Sequence, residues 1–121
     1  MASYPYQNQN TNAMTEKTAI EDKLFALKQK YLLSLPEKLS DIDEHWSACC
    51  ETQTLADKAL ESSLHKLAGS AGMYDENELG EIARSLEISV SNYSETLTPE
   101  NIKEIDTGLT KLREKVSELI A

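Results

Sequence analysis

From Ile20 onward the apolar residues recur at spacings of three and four. Leu24, Leu27, Tyr31, Leu35, Leu39, Ile42, Trp46 and Cys49 continue one stripe, a helical period rather than strand alternation. Pro36 interrupts it. Proline is tolerated in the first turn of a helix and removes a hydrogen bond from its interior. The segment is therefore either two helices, about 18–34 and 36–50, or one kinked helix, and the unbroken register packs both halves against the same core. The period lapses over CETQTLADK, where Thr52 or Thr54 is a candidate N-cap. A helix over about 54–73 follows, with Leu60, Leu64, Leu67 and Ala71 inward. Asp75, with Glu78 three residues on, reads as a capping box for the next helix, whose inward residues are Leu79, Ile82, Ala83, Leu86, Val90 and Tyr93. Thr98-Pro99-Glu100 is a strong start signal: an N-cap, a proline at the first helical position and an acid beside the positive helix end. The last helix carries Ile102, Ile105, Leu109, Leu112, Val116 and Leu119. Long amphipathic helices with short connections bury their stripes against one another, which predicts an all-α, antiparallel four-helix bundle with an additional N-terminal helix.

Composition supports this class. In 121 residues there are 4 Gly and 3 Pro, and aromatics make up 6%, too few turn and strand formers for a sandwich or barrel. The net charge of −9 repels phosphate backbones and anionic lipid. It argues against nucleic acid and membrane as partners and suits a protein with a basic patch. No apolar run approaches the roughly 18 residues of a membrane span, and no charged-then-apolar start marks secretion, so a cytoplasmic location is expected. Cys49 and Cys50 are adjacent and cannot build a disulfide framework. They read as reduced thiols, with a reactive or metal-binding pair as the alternative. Residues 1–13 carry no charge and no apolar period. They are expected to be a disordered leader or a segment added for expression, with the helical domain over 14–121.

Nucleotide-binding, nucleophile-elbow and zinc motifs are absent: there is no GxxxxGK[ST], GxGxxG, GxSxG, CxxC or HExxH. Glu61 with His65, and Asp41 with His45 and Cys49, lie at one-turn spacings. A metal site needs three or four convergent ligands, and no metal is expected. The informative stretch is Leu64-His65-Lys66-Leu67-Ala68-Gly69-Ser70-Ala71-Gly72. On a helical wheel His65 falls roughly 100–150° from the apolar stripe, among Lys58, Glu61, Ser62, Ala68, Gly69 and Gly72. Glycine inside a helix costs about 1 kcal/mol against alanine, so stability does not explain Gly69 and Gly72. Either they end the helix near residue 69 and His65 is a bystander, or their missing Cβ atoms let another protein approach an exposed imidazole.

HKLAGSAG followed by LGEIARSLE resembles the signature of the histidine-containing phosphotransfer (HPt) domain, with His65, Leu67, Gly69, Ser70, Ala71, Leu79, Leu86 and Glu87 where that pattern has its marked residues. YLLSLPEKLSDI is similar to the family's Phe-Leu-x-x-Leu-Pro-x-x-Leu helix, and the resemblance covers about residues 20–120. It implies a four-helix bundle whose His65 accepts a phosphoryl group from the aspartyl phosphate of a receiver domain and passes it to another receiver. The partners implied are the receiver domains of response regulators and of a hybrid sensor kinase. The Mg²⁺ would sit on the receiver, and this chain, expected to be a monomer, would have no cofactor and no ATP site of its own. Glu61, Ser62, Ala68, Gly69 and Gly72 would form the docking face.

Two departures stand out. The family usually has lysine three residues after the histidine, where this chain has Ala68, and glycine ten residues after it, where this chain has Asp75. Lys66 and Lys58 are the candidates on this helix to support the phosphoryl group instead. The alternative to a working relay protein is a non-catalytic helical adaptor, a degenerate HPt domain that binds a receiver without carrying phosphate.

Overall fold

The computed structural model describes residues 3–121, with side chains from Glu16 onward. Among them are four helices: α1 (Ser3–Thr52), α2 (Ala59–Met73), α3 (Asn77–Asn92) and α4 (Pro99–Ile120). Of the two arrangements open for the first stripe, the single helix is the one found, with Pro36 inside it. The expected additional helix is thus the N-terminal part of α1. The boundary expected after residue 13 falls where residues 1–2 and the side chains of 3–15 lie outside the described residues.

The chain divides into two compact units, residues 1–32 and 33–121. The division falls at Leu32, whose carbonyl is the one that proline at position 36 leaves without its intrahelical donor. In the first unit Ile20, Leu24, Phe25 and Leu27 are exposed. This corrects the expectation that the stripe is core along its whole length.

The second unit is the antiparallel bundle. Its core holds Leu35, Ile42, Trp46 and Cys49 of α1, then Leu60, Leu64, Leu67 and Ala71, then Leu79, Ala83, Leu86 and Val90, then Ile105, Leu109, Leu112 and Val116. These follow the three-four stripes of the sequence, of which Leu39, Ile82, Tyr93, Ile102 and Leu119 are only half-buried. The antiparallel order is visible in polar contacts between helices. Trp46 Nε1 donates to Asp106 Oδ1 at 2.8 Å and Arg113 to Asp43 at 2.7 Å, joining α1 to α4. Tyr93 donates to Glu104 and Lys115 to Glu78, joining α3 to α4. At one end the two long connections pair through a β-bridge, Thr54 with Thr96, which carries Leu55 and Leu97 into the core.

The caps differ in part from expectation. Thr98 accepts from the Asn101 amide and Pro99 opens α4, as the sequence signal predicts. Thr52 instead ends α1, its hydroxyl donating back to Ala48 O, and α2 starts only at Ala59, whose amide is held by Asp57 Oδ1. Asp75 does not cap α3. It ends α2, with φ 60°, the Asp75 amide on Gly72 O and the Glu76 amide on Ala71 O. That is a Schellman motif with aspartate in the left-handed position where glycine is the unstrained choice.

Candidate functional site

The inner stripe of α2 orients His65. Leu64 is 0% and Leu67 3% exposed, so both are pinned to the core. His65, the next residue after Leu64, is turned about 100° from it and outward. The His65 side chain is accordingly 71% exposed. On α3 the same logic places Glu87. It follows the buried Leu86, and its side chain, 18% exposed, leans over α2. His65 Nδ1 and Glu87 Oε2 are 2.8 Å apart. A carboxylate only accepts, so Nδ1 carries the proton, and in the neutral ring Nε2 keeps its lone pair.

Gly80 lies where α3 packs most closely on α2, at a spacing that would admit a Cβ in ordinary contact. A Cβ there would sit 3.4 Å from the Ala68 carbonyl oxygen and 3.6 Å from the Ala71 Cβ. Gly69 and Gly72 serve a different purpose: a Cβ on either would meet nothing within 4 Å. They are not demanded by packing. Nor do they end the helix, because α2 runs on to Met73, which removes the bystander alternative in the form that depended on an early helix end. What they do is leave an open groove of about 390 Å³ beside the ring. Ala68, Gly69 and Gly72 line one side of it, and Asn77, Gly80, Glu81 and Arg84 the other.

The predicted site residues therefore separate. Ala68, Gly69 and Gly72 share the groove with His65. Glu61 and Ser62 lie one turn back on α2 and do not line it. Lys66 points into another groove, between α1 and α2, with Lys38, Asp41, His45 and Ser63. Lys58 sits before the first turn of α2, roughly 10 Å along the axis from His65. Neither lysine lines the groove that holds the ring. The cation that does is Arg84, which the sequence reading passed over. Glu87 belongs to the sequence motif, which by itself assigns it no task. Both follow from the antiparallel register of α2 and α3, which spacing along one helix does not reveal.

The second histidine, His45, is half-buried on α1 in the groove that holds Lys66. Burial pushes the Cys49 and Cys50 thiols up from their ordinary range, with nearby acids adding to it. A raised thiol holds less of the thiolate, the reactive form. Among the described residues no group of three or more His, Cys, Asp or Glu could hold a metal ion, and no helix is long and apolar enough to cross a membrane.

A family model described as Hpt domain matches residues 26–115, a span that holds every groove residue named above. No curated protein and no solved structure matches the chain.

Proposed function

The chain belongs to the Hpt domain family and has a phosphotransfer-related role in phosphorelay, and from that premise we propose that His65 is the phosphoryl acceptor, loaded from one receiver domain and emptied onto another. The observation that carries this reading is the 2.8 Å contact between Nδ1 and Glu87 under a ring that is 71% exposed. It aims a lone pair at solvent and fixes which nitrogen carries it.

The chemistry follows atom by atom. The Nε2 lone pair attacks the phosphorus of an aspartyl phosphate. A P–N bond forms, the P–O bond to the carboxyl group breaks, and the aspartate leaves as a free carboxylate. No proton moves at Nε2. The ring, substituted on one nitrogen and protonated on the other, becomes cationic, and the Glu87 carboxylate stands where that charge appears. The product is a reactive donor, so the same path runs in reverse onto a second receiver. Nothing in the step calls on a nucleotide or a metal from this chain. The Mg²⁺ that phosphoryl transfer uses would be the receiver's. Gly69 and Gly72 give the partner its approach, because side chains there would fill the groove.

Incubation with a phosphorylated receiver domain and Mg²⁺ tests the reading. Acid-labile, base-stable label should appear on the chain, vanish in His65→Gln with unchanged helicity, and persist in His45→Gln. Absence of label on the parent chain, or label that survives His65→Gln, overturns it and leaves a receiver-binding adaptor.

A further inference from the structure

The groove beside His65 holds a charge that the transfer step does not use. Arg84 is exposed on the outer face of α3, one turn before Glu87. The register of α3 against α2 is set at two points. His65 meets Glu87, and two turns further along α2, Gly72 lies against Gly80, its amide nitrogen 3.8 Å from where a Gly80 Cβ would be. Midway between these points α2 passes through Ala68 and α3 through Arg84. Arg84 therefore stands across the groove from Ala68, one turn from the imidazole on its open side, and lines that groove with it.

Its surroundings leave it available. Arg84 makes no ion pair with any described residue. Ala68, Gly69 and Gly72 put no more than a methyl group between it and the ring side of the groove. The other ionisable residue lining the groove besides His65 is Glu81, one turn earlier on α3. A phosphoryl group on His65 would bring up to two negative charges close to that carboxylate, and Arg84 stands one turn nearer than Glu81 along α3 to the level of the ring.

We propose that Arg84 is the phosphoryl-binding residue of this protein, its guanidinium taking the phosphoryl oxygens once the group is on His65 Nε2. The proposal rests on the reading of His65 as acceptor. A guanidinium presents a planar fork of donors that fits two phosphoryl oxygens at once, which an ammonium does not. Arg84 makes and breaks no bond. It stabilises the loaded state over the empty one, and it does so from the facing helix, where neither Lys66 nor Lys58 can.

The test loads the full chain with phosphoramidate, a donor that needs no receiver, and follows the phosphoryl group by phosphorus NMR against pH. A nearby cation favours the dianion, so Arg84→Ala should raise the phosphoryl group's second ionisation by about 0.2–0.7 of a pH unit, the size of an exposed charge pair. Arg84→Gln should do the same, with melting temperature and helicity unchanged in both. Ala68→Lys placed in the Arg84→Ala chain should bring the ionisation back down, because position 68 faces position 84. An unchanged titration in both Arg84 variants overturns the proposal. A chain that titrates as expected but takes no phosphate from a phosphorylated receiver overturns the relay reading and leaves the Arg84 contact standing.

Discussion

Replacing Glu87 by alanine deletes the acceptor that holds His65 Nδ1 and leaves the α3 core residues Leu86 and Val90 in place. A hydrogen bond to a charged group is worth roughly 1.5–3 kcal/mol net when water is kept away. Here the imidazole is 71% exposed although the carboxylate is only 18% exposed, so solvent competes at the ring and the contact belongs nearer the upper end of the exposed range, about 1 kcal/mol. In the proposed transfer that contact changes character: it would join a carboxylate to a neutral ring before and to a cationic ring after. A difference of about 1 kcal/mol between the two states is a factor of about five in rate or equilibrium. Loss of the acceptor also frees the proton to sit on Nε2, where it blocks attack, so the fall in uptake should be about five- to tenfold. Rapid-quench uptake from a phosphorylated receiver reads the rate, and nitrogen-15 NMR of the imidazole reads the tautomer. Glu87→Gln should fall between, since its amide oxygen accepts without charge. Uptake at the parent rate in Glu87→Ala, with the proton still on Nδ1, would refute the role given to Glu87.

Gly69→Leu should leave the bundle intact, gaining about 1 kcal/mol of helix propensity, and should weaken receiver binding by filling the groove. Calorimetric titration showing unchanged affinity would remove this face as the docking surface. Asp75→Gly should stabilise the fold by about 0.5–1 kcal/mol, by relieving the left-handed aspartate at φ 60° and removing an acid from the negative end of α2; a lower urea midpoint would contradict this. Glu78 accepts a hydrogen bond from Lys115 at 2.6 Å, and that bond and the lysine's charge hold its carboxyl below the usual carboxylate range. With the folded value below the unfolded one, the contribution is present above about pH 4.3 and is lost as pH falls through the folded value. Glu78→Gln should therefore flatten the acid limb of a stability-against-pH curve, and an unchanged limb would show that the pair contributes nothing.

Much of the bundle was legible because burial imposes a period. Leu60, Leu64, Leu67 and Ala71 read as one face of a helix and lie in the core. His65 read as outward for the same reason. Ile20, Leu24 and Leu27 show the limit of that logic: a period reports that a face is apolar and not that a neighbour covers it. Asp75 shows another. Its carboxylate suits an N-cap, but the chain reverses direction one residue too early, and the position is decided by the end of α2. The family's glycine at that place becomes intelligible as a demand for positive φ. Arg84 and Glu87 were hidden for a third reason. Their relation to His65 runs across two helices, and a sequence read along one helix offers Lys66 and Lys58 before it offers a residue 19 or 22 positions away.

The central claim is that one nitrogen of one histidine carries the phosphoryl group, chosen by the carboxylate behind the ring. Two-dimensional phosphorus–proton NMR on the chain phosphorylated by a receiver measures this directly, since the two ring isomers couple phosphorus to different ring protons. A single phosphohistidine is expected, at His65, with phosphorus on Nε2. Phosphorus on Nδ1, or on any other residue, would contradict it.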